Sequence, residues 1–223
     1  MKKLISIIVL GLLLGGCAIK QTRNVQINNL QINEISNTMS CKNGTHHTLF
    51  LHGPISEDST VAVEKILSEQ SKCFNKDGDI IIPHVYLNSN GGYLNDGFKL
   101  GEIFSKYKVS TRINNNQVCM SACATAFLGG YPRYMFNGSR LMVHAPYKYN
   151  SNQTIECSSK KAAVELKNYY ISKIGNKGGE FLFDRTMKYC GNSEGWFLNK
   201  DAALLFNITQ KYDLWESQDT VIP

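Results

Sequence analysis

The chain has 223 residues, with 24 Lys and Arg against 18 Asp and Glu, a formal net charge of +6, 43% hydrophobic residues and 19% charged residues. This composition excludes a disordered chain and is long enough for one substantial core. Lys2 and Lys3 supply two of the six net charges, and no dense Lys/Arg tract with interleaved aromatics follows, which argues against nucleic-acid binding.

Lys2 and Lys3 form a positive n-region before the apolar run Leu4 to Leu14. That run is too short to span a bilayer, which takes about 20 residues, and has the length of a signal-peptide core. It ends Leu14-Gly15-Gly16-Cys17, small residues that let the chain lie extended in a peptidase cleft. The cysteine resembles a lipobox, in which Cys17 is acylated and becomes the new N-terminus. An ordinary signal peptide with an incidental cysteine is the plainer alternative. Several acyl chains anchor stably where one does not. Ala18, where an Asp would signal retention at the inner membrane, points by the same resemblance to the outer membrane. The expected location is the cell envelope of a Gram-negative bacterium, lipid-anchored and facing the periplasm.

Residues 18 to about 40 are rich in Asn and Gln and read as a polar tether that lifts the domain off the membrane. The alternation of Val25, Ile27, Leu30 and Ile32 leaves room for a short strand. The expected division is therefore a signal peptide over 1–16, a lipidated tether over 17–40 and a folded domain over 41–223.

From Cys41 the punctuation becomes regular. Thr48 to His52 reads as a strand. Ser56-Glu57-Asp58-Ser59 starts a helix whose stripe is Val61, Val63, Ile66 and Leu67. Ile80 to Leu87 suits a buried parallel strand. A turn at Asn90-Gly91-Gly92 precedes a helix over Leu94 to Tyr107, and Val109 to Ile113 is the next strand. Ser121 to Leu128 fits a small buried helix, and Tyr134 to Phe136 and Leu141 to Val143 are short strands. Ser158 to Lys173 is helical, with Ala162, Val164 or Leu166, and Tyr169 on its inner face. Lys200 to Phe206 is a last short helix. Repeated strand–helix units imply a single α/β domain with a largely parallel sheet.

Without Cys17 six cysteines remain: Cys41, Cys73, Cys119, Cys123, Cys157 and Cys190. An even number in an oxidising compartment permits three disulfides, whose connectivity sequence alone leaves open. The pairing expected here is Cys41–Cys73, Cys119–Cys123 and Cys157–Cys190, against the simpler alternative of buried thiols. No CxxC or Cys/His cluster has metal-site spacing, so neither a metal nor a cofactor is expected.

Three segments could carry chemistry. Leu87-Asn88-Ser89-Asn90-Gly91-Gly92 runs a strand into a Gly-Gly turn, where backbone N–H groups can approach a ligand with no Cβ in the way. Cys119-Met120-Ser121-Ala122-Cys123 sets a serine at a helix start, which stabilises a developing anion but is more often a simple N-cap. Arg140-Leu141-Met142-Val143-His144 ends an apolar strand on a histidine, a general-base position that is commonly structural when found alone.

Together these segments resemble the proteolytic subunit of Clp protease, within the crotonase-like superfamily of repeated ββα units. The likeness runs from about Leu87 to Pro146, with Gly92 lying 29 residues before Ser121 and His144 lying 23 after it. The Cys-x-Ser-Ala-Cys segment and the leader are most similar to periplasmic Clp-like proteins. The resemblance implies that Ser121 is the nucleophile and His144 its base, with the N–H groups of Gly92 and Ala122 as oxyanion hole. The family's acid precedes a Phe-Leu-Ser-type turn. Here the similar stretch begins Gly195-Trp196-Phe197-Leu198, and the neighbouring Glu194 is the candidate, with Asp184 as second. The implied function is a serine peptidase of the envelope, a hydrolase acting on peptides or unfolded protein. No ATPase partner is expected, because the periplasm lacks ATP. The family assembles into oligomers, but the divergent, cysteine-bearing stretch from Tyr147 to Cys190 argues against a ring. The alternative is an inactive Clp-like binding or scaffold lipoprotein.

Overall fold

The computed structural model describes residues 20–38, 41–70, 72–157, 159–191 and 194–211. The expected signal peptide and the acylated Cys17 lie outside the described residues. In chain order the elements are β1 (Lys20–Ile27), β2 (Leu30–Asn37), β3 (His46–His52), α1 (Glu57–Glu69), β4 (Cys73–Phe74), β5 (Ile80–Ile81), β6 (His84–Asn88), α2 (Leu94–Lys106), β7 (Ser110–Ile113), β8 (Val118–Met120), α3 (Ala122–Phe127), β9 (Arg133–Met135), β10 (Arg140–Val143), β11 (Tyr147–Tyr149), β12 (Ile155–Cys157), α4 (Lys160–Thr186), β13 (Trp196–Leu198) and α5 (Lys200–Leu205). Among the described residues no helix is long and apolar enough to cross a membrane.

The main sheet has the order β1-β2-β3-β6-β7-β9. Strands β3, β6, β7 and β9 are mutually parallel, and β1 and β2 add antiparallel at one edge. A second sheet, β13-β10-β8, pairs β10 parallel to β8 and antiparallel to β13. This is the expected single α/β domain with a largely parallel central sheet. Side chains alternate across β6. Val85 and Leu87 enter the core with Val63 and Ile66 of α1 and Leu100 and Phe104 of α2, while His84 and Tyr86 lie on the other face. Helix α1 begins at Ser56, whose N–H donates to Ser59 Oγ at 2.9 Å, closing the first turn as a cap should.

The stretch expected to be a tether is instead a β-hairpin. Strand β2 pairs along β3 from Gln31 to Asn37, and Val25, Leu30 and Ile32 are buried in the core. The Asn and Gln residues that suggested a solvated linker mostly face outward, and the interleaved apolar residues face inward. The polar residue Glu34 is buried with a partner, its carboxylate accepting at 2.9 Å from the His47 ring.

Other boundaries also shift. The run from Ile80 divides into β5 and β6 at Pro83, which has no N–H to give a ladder, and Ile80 is exposed. Val61 and Val164 are exposed, while Leu166 and Tyr170 form the inner face of α4. That helix runs on past Lys173 to Thr186 through a kink at Gly175, whose φ of 77° is open to glycine. The three expected disulfides are all present, with Cα atoms 5.3 Å apart for Cys41–Cys73, 5.2 Å for Cys119–Cys123 and 5.8 Å for Cys157–Cys190.

The outer face of the sheet carries a buried polar cluster. His84 Nε2 accepts from Arg112 Nη2 at 2.8 Å, and its ring stands edge-on to His46 at 4.5 Å. Burial first, then the charges of Arg112 and His46, hold the His84 pKa well below the ordinary imidazole value. The native state therefore keeps His84 neutral where the unfolded chain would protonate it. Stability is complete above the unfolded imidazole pKa of about 6.5 and is lost as pH falls from there toward the depressed native value, at up to about 1.4 kcal/mol per pH unit. Denaturant titrations at pH 7.5 and pH 5 are expected to show this loss, and His84→Gln is expected to flatten it.

Candidate functional site

Strands β8 and β10 run parallel with Met120 opposite Met142. The next residues out are Ser121 after β8 and His144 two beyond Met142 on β10. Both candidates thus sit at the carboxyl ends of adjacent parallel strands, where open α/β sheets place their ligands. Ser121 donates its N–H to the Met142 carbonyl at 2.8 Å, and its own carbonyl accepts from Thr125 N–H at 3.2 Å, starting α3. Its φ of 56° and ψ of −121° are unusual for a residue with a Cβ. Such a conformation costs on the order of 1–3 kcal/mol and persists where the surroundings over-determine it.

The turn after β6 packs against this serine. Gly91 has φ of 99°, and a Cβ there would lie 2.6 Å from the Met120 carbonyl oxygen and 2.7 Å from Ser121 Cβ. Its N–H is held by Ser89 Oγ at 3.0 Å. Gly92 lies against the Ile55 backbone, with which it forms a parallel bridge. Among the described residues, neither the Gly92 N–H nor the Ala122 N–H donates to a protein acceptor. The two groups expected to form an oxyanion hole are therefore both open. Gly91 was not expected as a site residue. The Gly-Gly pair marked the turn, but only the packing separates the glycine that makes room from the glycine whose N–H is available.

Ser121, His144, Gly92 and Ala122 line one cavity of about 770 Å³, together with Met142, Leu166 and Tyr170. Among the described residues no hydrogen bond joins Ser121 Oγ to the His144 ring. Catalytic hydrogen bonds often tighten only when substrate binds. His144 Nδ1 lies 2.9 Å from the Ala145 carbonyl oxygen. A carbonyl can only accept, so Nδ1 carries the proton, and in the neutral ring the lone pair lies on Nε2, the tautomer a base requires. Tyr147 flanks the ring, with centroids 5.5 Å apart. Burial, then Tyr149, raises the Tyr147 pKa, keeping its phenol protonated.

The structure does not bring the expected acid to the histidine. Glu194 and Asp184 are both exposed, and neither makes a hydrogen bond or ion pair with His144. Val143 pairs with Trp196, so Gly195 follows opposite His144, and a Cβ built on Gly195 would run into the Met142 side chain. A glycine thus stands opposite the histidine, at the start of the stretch that resembles the family's acid-bearing turn. The Cys157–Cys190 bridge likewise does not deliver an acid. It holds the end of α4 beside the histidine segment, where Ala145 N–H donates to the Tyr189 carbonyl at 2.7 Å. Among the described residues no group of His, Cys, Asp or Glu side chains is placed to hold a metal ion.

A family model described as Clp protease matches residues 27–179. No curated protein matches the chain. Among solved structures, a mutant of ClpP1 from Listeria monocytogenes superposes with a TM-score of 0.54 at 17% identity, over 73% of this chain and 88% of that one. A mutant of the membrane-bound stomatin-specific protease 1510-N gives 0.55 at 15% identity, over 76% and 80%. Another mutant of 1510-N, in complex with a substrate peptide, gives 0.53 at 14% identity, over 73% and 71%. At these identities the likeness is one of fold. The chain belongs to the Clp protease family.

Proposed function

We propose that this protein is a serine peptidase of the bacterial cell envelope, lipid-anchored through Cys17 and acting without ATP on peptides or unfolded protein. The observation that carries the reading is the convergence of Ser121, His144 and two open N–H groups on one cavity. Ser121 Oγ attacks the scissile carbonyl as its proton passes to His144 Nε2. The Gly92 and Ala122 N–H groups receive the developing oxyanion. Collapse expels the amine, which takes the proton from His144 and leaves an acyl group on Ser121. Water then enters by the same base and releases the acid. The Ala145 carbonyl takes the orienting role usually given to a carboxylate. A neutral acceptor fixes the tautomer but stabilises an imidazolium less than a charge does, which supports a slow enzyme.

A fluorophosphonate probe tests this directly. Labelling of the oxidised protein on the tryptic peptide containing Ser121 is expected. A folded protein that takes no label sinks the peptidase reading and leaves the binding or scaffold reading. The anchor has its own test. Radiolabelled fatty acid is expected in the native chain and absent from Cys17→Ser, and equal incorporation would remove the lipoprotein reading.

A further inference from the structure

Cys41–Cys73 and Cys157–Cys190 close long loops, with sequence separations of 32 and 33, whereas Cys119–Cys123 has a separation of only 4. In the chain-entropy account a cross-link stabilises a fold more as its loop lengthens, so the short ring contributes least to global stability. What it encloses is Met120, Ser121 and Ala122. Cys119 lies in β8 and Cys123 in the first turn of α3, both with 0% exposure. Continued as a strand, four residues would carry the two Cα atoms about 13 Å apart. The bridge holds them at 5.2 Å. It therefore blocks continuation of β8 and turns the chain at Ser121, the residue with φ of 56°. A residue with a Cβ leaves that region unless it is held there. The Met142 carbonyl and Gly91 restrain Ser121 from two sides, and the bridge closes the third.

We propose that the Cys119–Cys123 bridge sets the Ser121 turn, so that the peptidase is latent while these two thiols are reduced and competent once they are joined. The inference rests on the Ser121–His144 reading of the site. The switching step is thiol–disulfide exchange. Two thiols lose two protons and two electrons, a bond forms between Cys119 Sγ and Cys123 Sγ, and the disulfide of the exchange partner is reduced to two thiols. The oxidant is a disulfide-carrying exchange protein or small disulfide of an oxidising compartment. Cys119 and Cys123 are positioning residues and touch no substrate. A chain made in a reducing compartment would thus carry a nucleophile slowed by about 10- to 100-fold until it was exported and oxidised.

The test compares the oxidised full chain with Cys119→Ala/Cys123→Ala and, as a stability control, with Cys41→Ala/Cys73→Ala. Fluorophosphonate labelling rate, thermal unfolding and amide hydrogen exchange over residues 119–128 are measured on each. The first variant is expected to unfold cooperatively, to label about 10- to 100-fold more slowly, and to exchange the Ser121 amide faster. The control is expected to melt lower yet label at the parent rate. Labelling of Cys119→Ala/Cys123→Ala at the parent rate overturns the proposal. If the parent itself takes no label, the peptidase reading falls, and the exchange measurement alone decides the clamp, with unchanged protection at Ser121 overturning it and faster exchange upholding it. Cys119→Val/Cys123→Ala refills the buried volume and serves where the double alanine does not fold.

Discussion

Ser121→Ala is expected to cut kcat on an unfolded-protein substrate by on the order of 10²- to 10⁴-fold, with no fall in the unfolding midpoint. The substitution removes only the attacking oxygen. The main-chain bonds that hold residue 121, from its N–H to Met142 and from Thr125 to its carbonyl, stay in place. His144→Ala is expected to cost about as much, and the double variant little more, because nucleophile and base act as one unit. Glu194→Gln and Asp184→Asn are expected to leave kcat nearly unchanged, since neither carboxylate reaches the imidazole. A loss of about 100-fold in either would place that carboxylate on the histidine during turnover and overturn the main-chain assignment. Progress curves on a casein-type substrate, with scanning calorimetry on the same preparations, decide among these outcomes.

Gly91→Ala is expected to destabilise the protein by about 2–5 kcal/mol and to abolish labelling of Ser121. Two costs coincide there. The backbone has φ of 99°, and the new methyl would press on the Met120 carbonyl and on Ser121 Cβ. Relief can come only by moving the β6 turn away from β8, which carries the Gly92 N–H off the oxyanion position. Gly78→Ala is the comparison. Its φ is 90° but nothing lies within 4 Å of the added methyl, so about 1 kcal/mol of strain is expected with labelling intact. Urea unfolding and probe labelling of the two variants separate backbone strain from crowding of the nucleophile.

The interior strands, and the placing of Ser121 and His144 at neighbouring strand ends, were legible in the sequence because each carries a local mark. Val85 and Leu87 lead up to the Gly-Gly turn, and Leu141 to Val143 run straight into His144. Edge elements carry no such mark. Strand β2 buries Leu30 and Ile32 but shows solvent a row of polar residues, so its composition imitates a linker until β3 is placed beside it. Val61 and Val164 followed the helical period yet face outward, because periodicity ranks the faces of a helix without saying which one a neighbour covers. The acid was illegible for a different reason. A carboxylate reaches a histidine through tertiary placement, and the β10–β13 register that sets Gly195 opposite His144 has no local signature. Main-chain acceptors such as the Ala145 carbonyl leave no trace in side-chain identity at all.

Given the proposed lipid on Cys17, the hairpin at the sheet edge would set how the domain stands on a bilayer. Strand β1 is antiparallel to β2, β2 is antiparallel to β3, and β3 is parallel to β6, so β1 points the same way as β6. Lys20 therefore lies at the amino end of the parallel strands, opposite the carboxyl end from which β6 runs into the Gly-Gly turn beside Ser121. Three residue steps separate Cys17 from Lys20, a reach of about 10 Å at most. An acyl group on Cys17 would moor the domain close to the lipid by its base, with little leash to swing on. The carboxyl ends of the parallel strands, where Ser121 and His144 sit, would then face away from the lipid, toward chains that drift past rather than segments emerging from the membrane beneath.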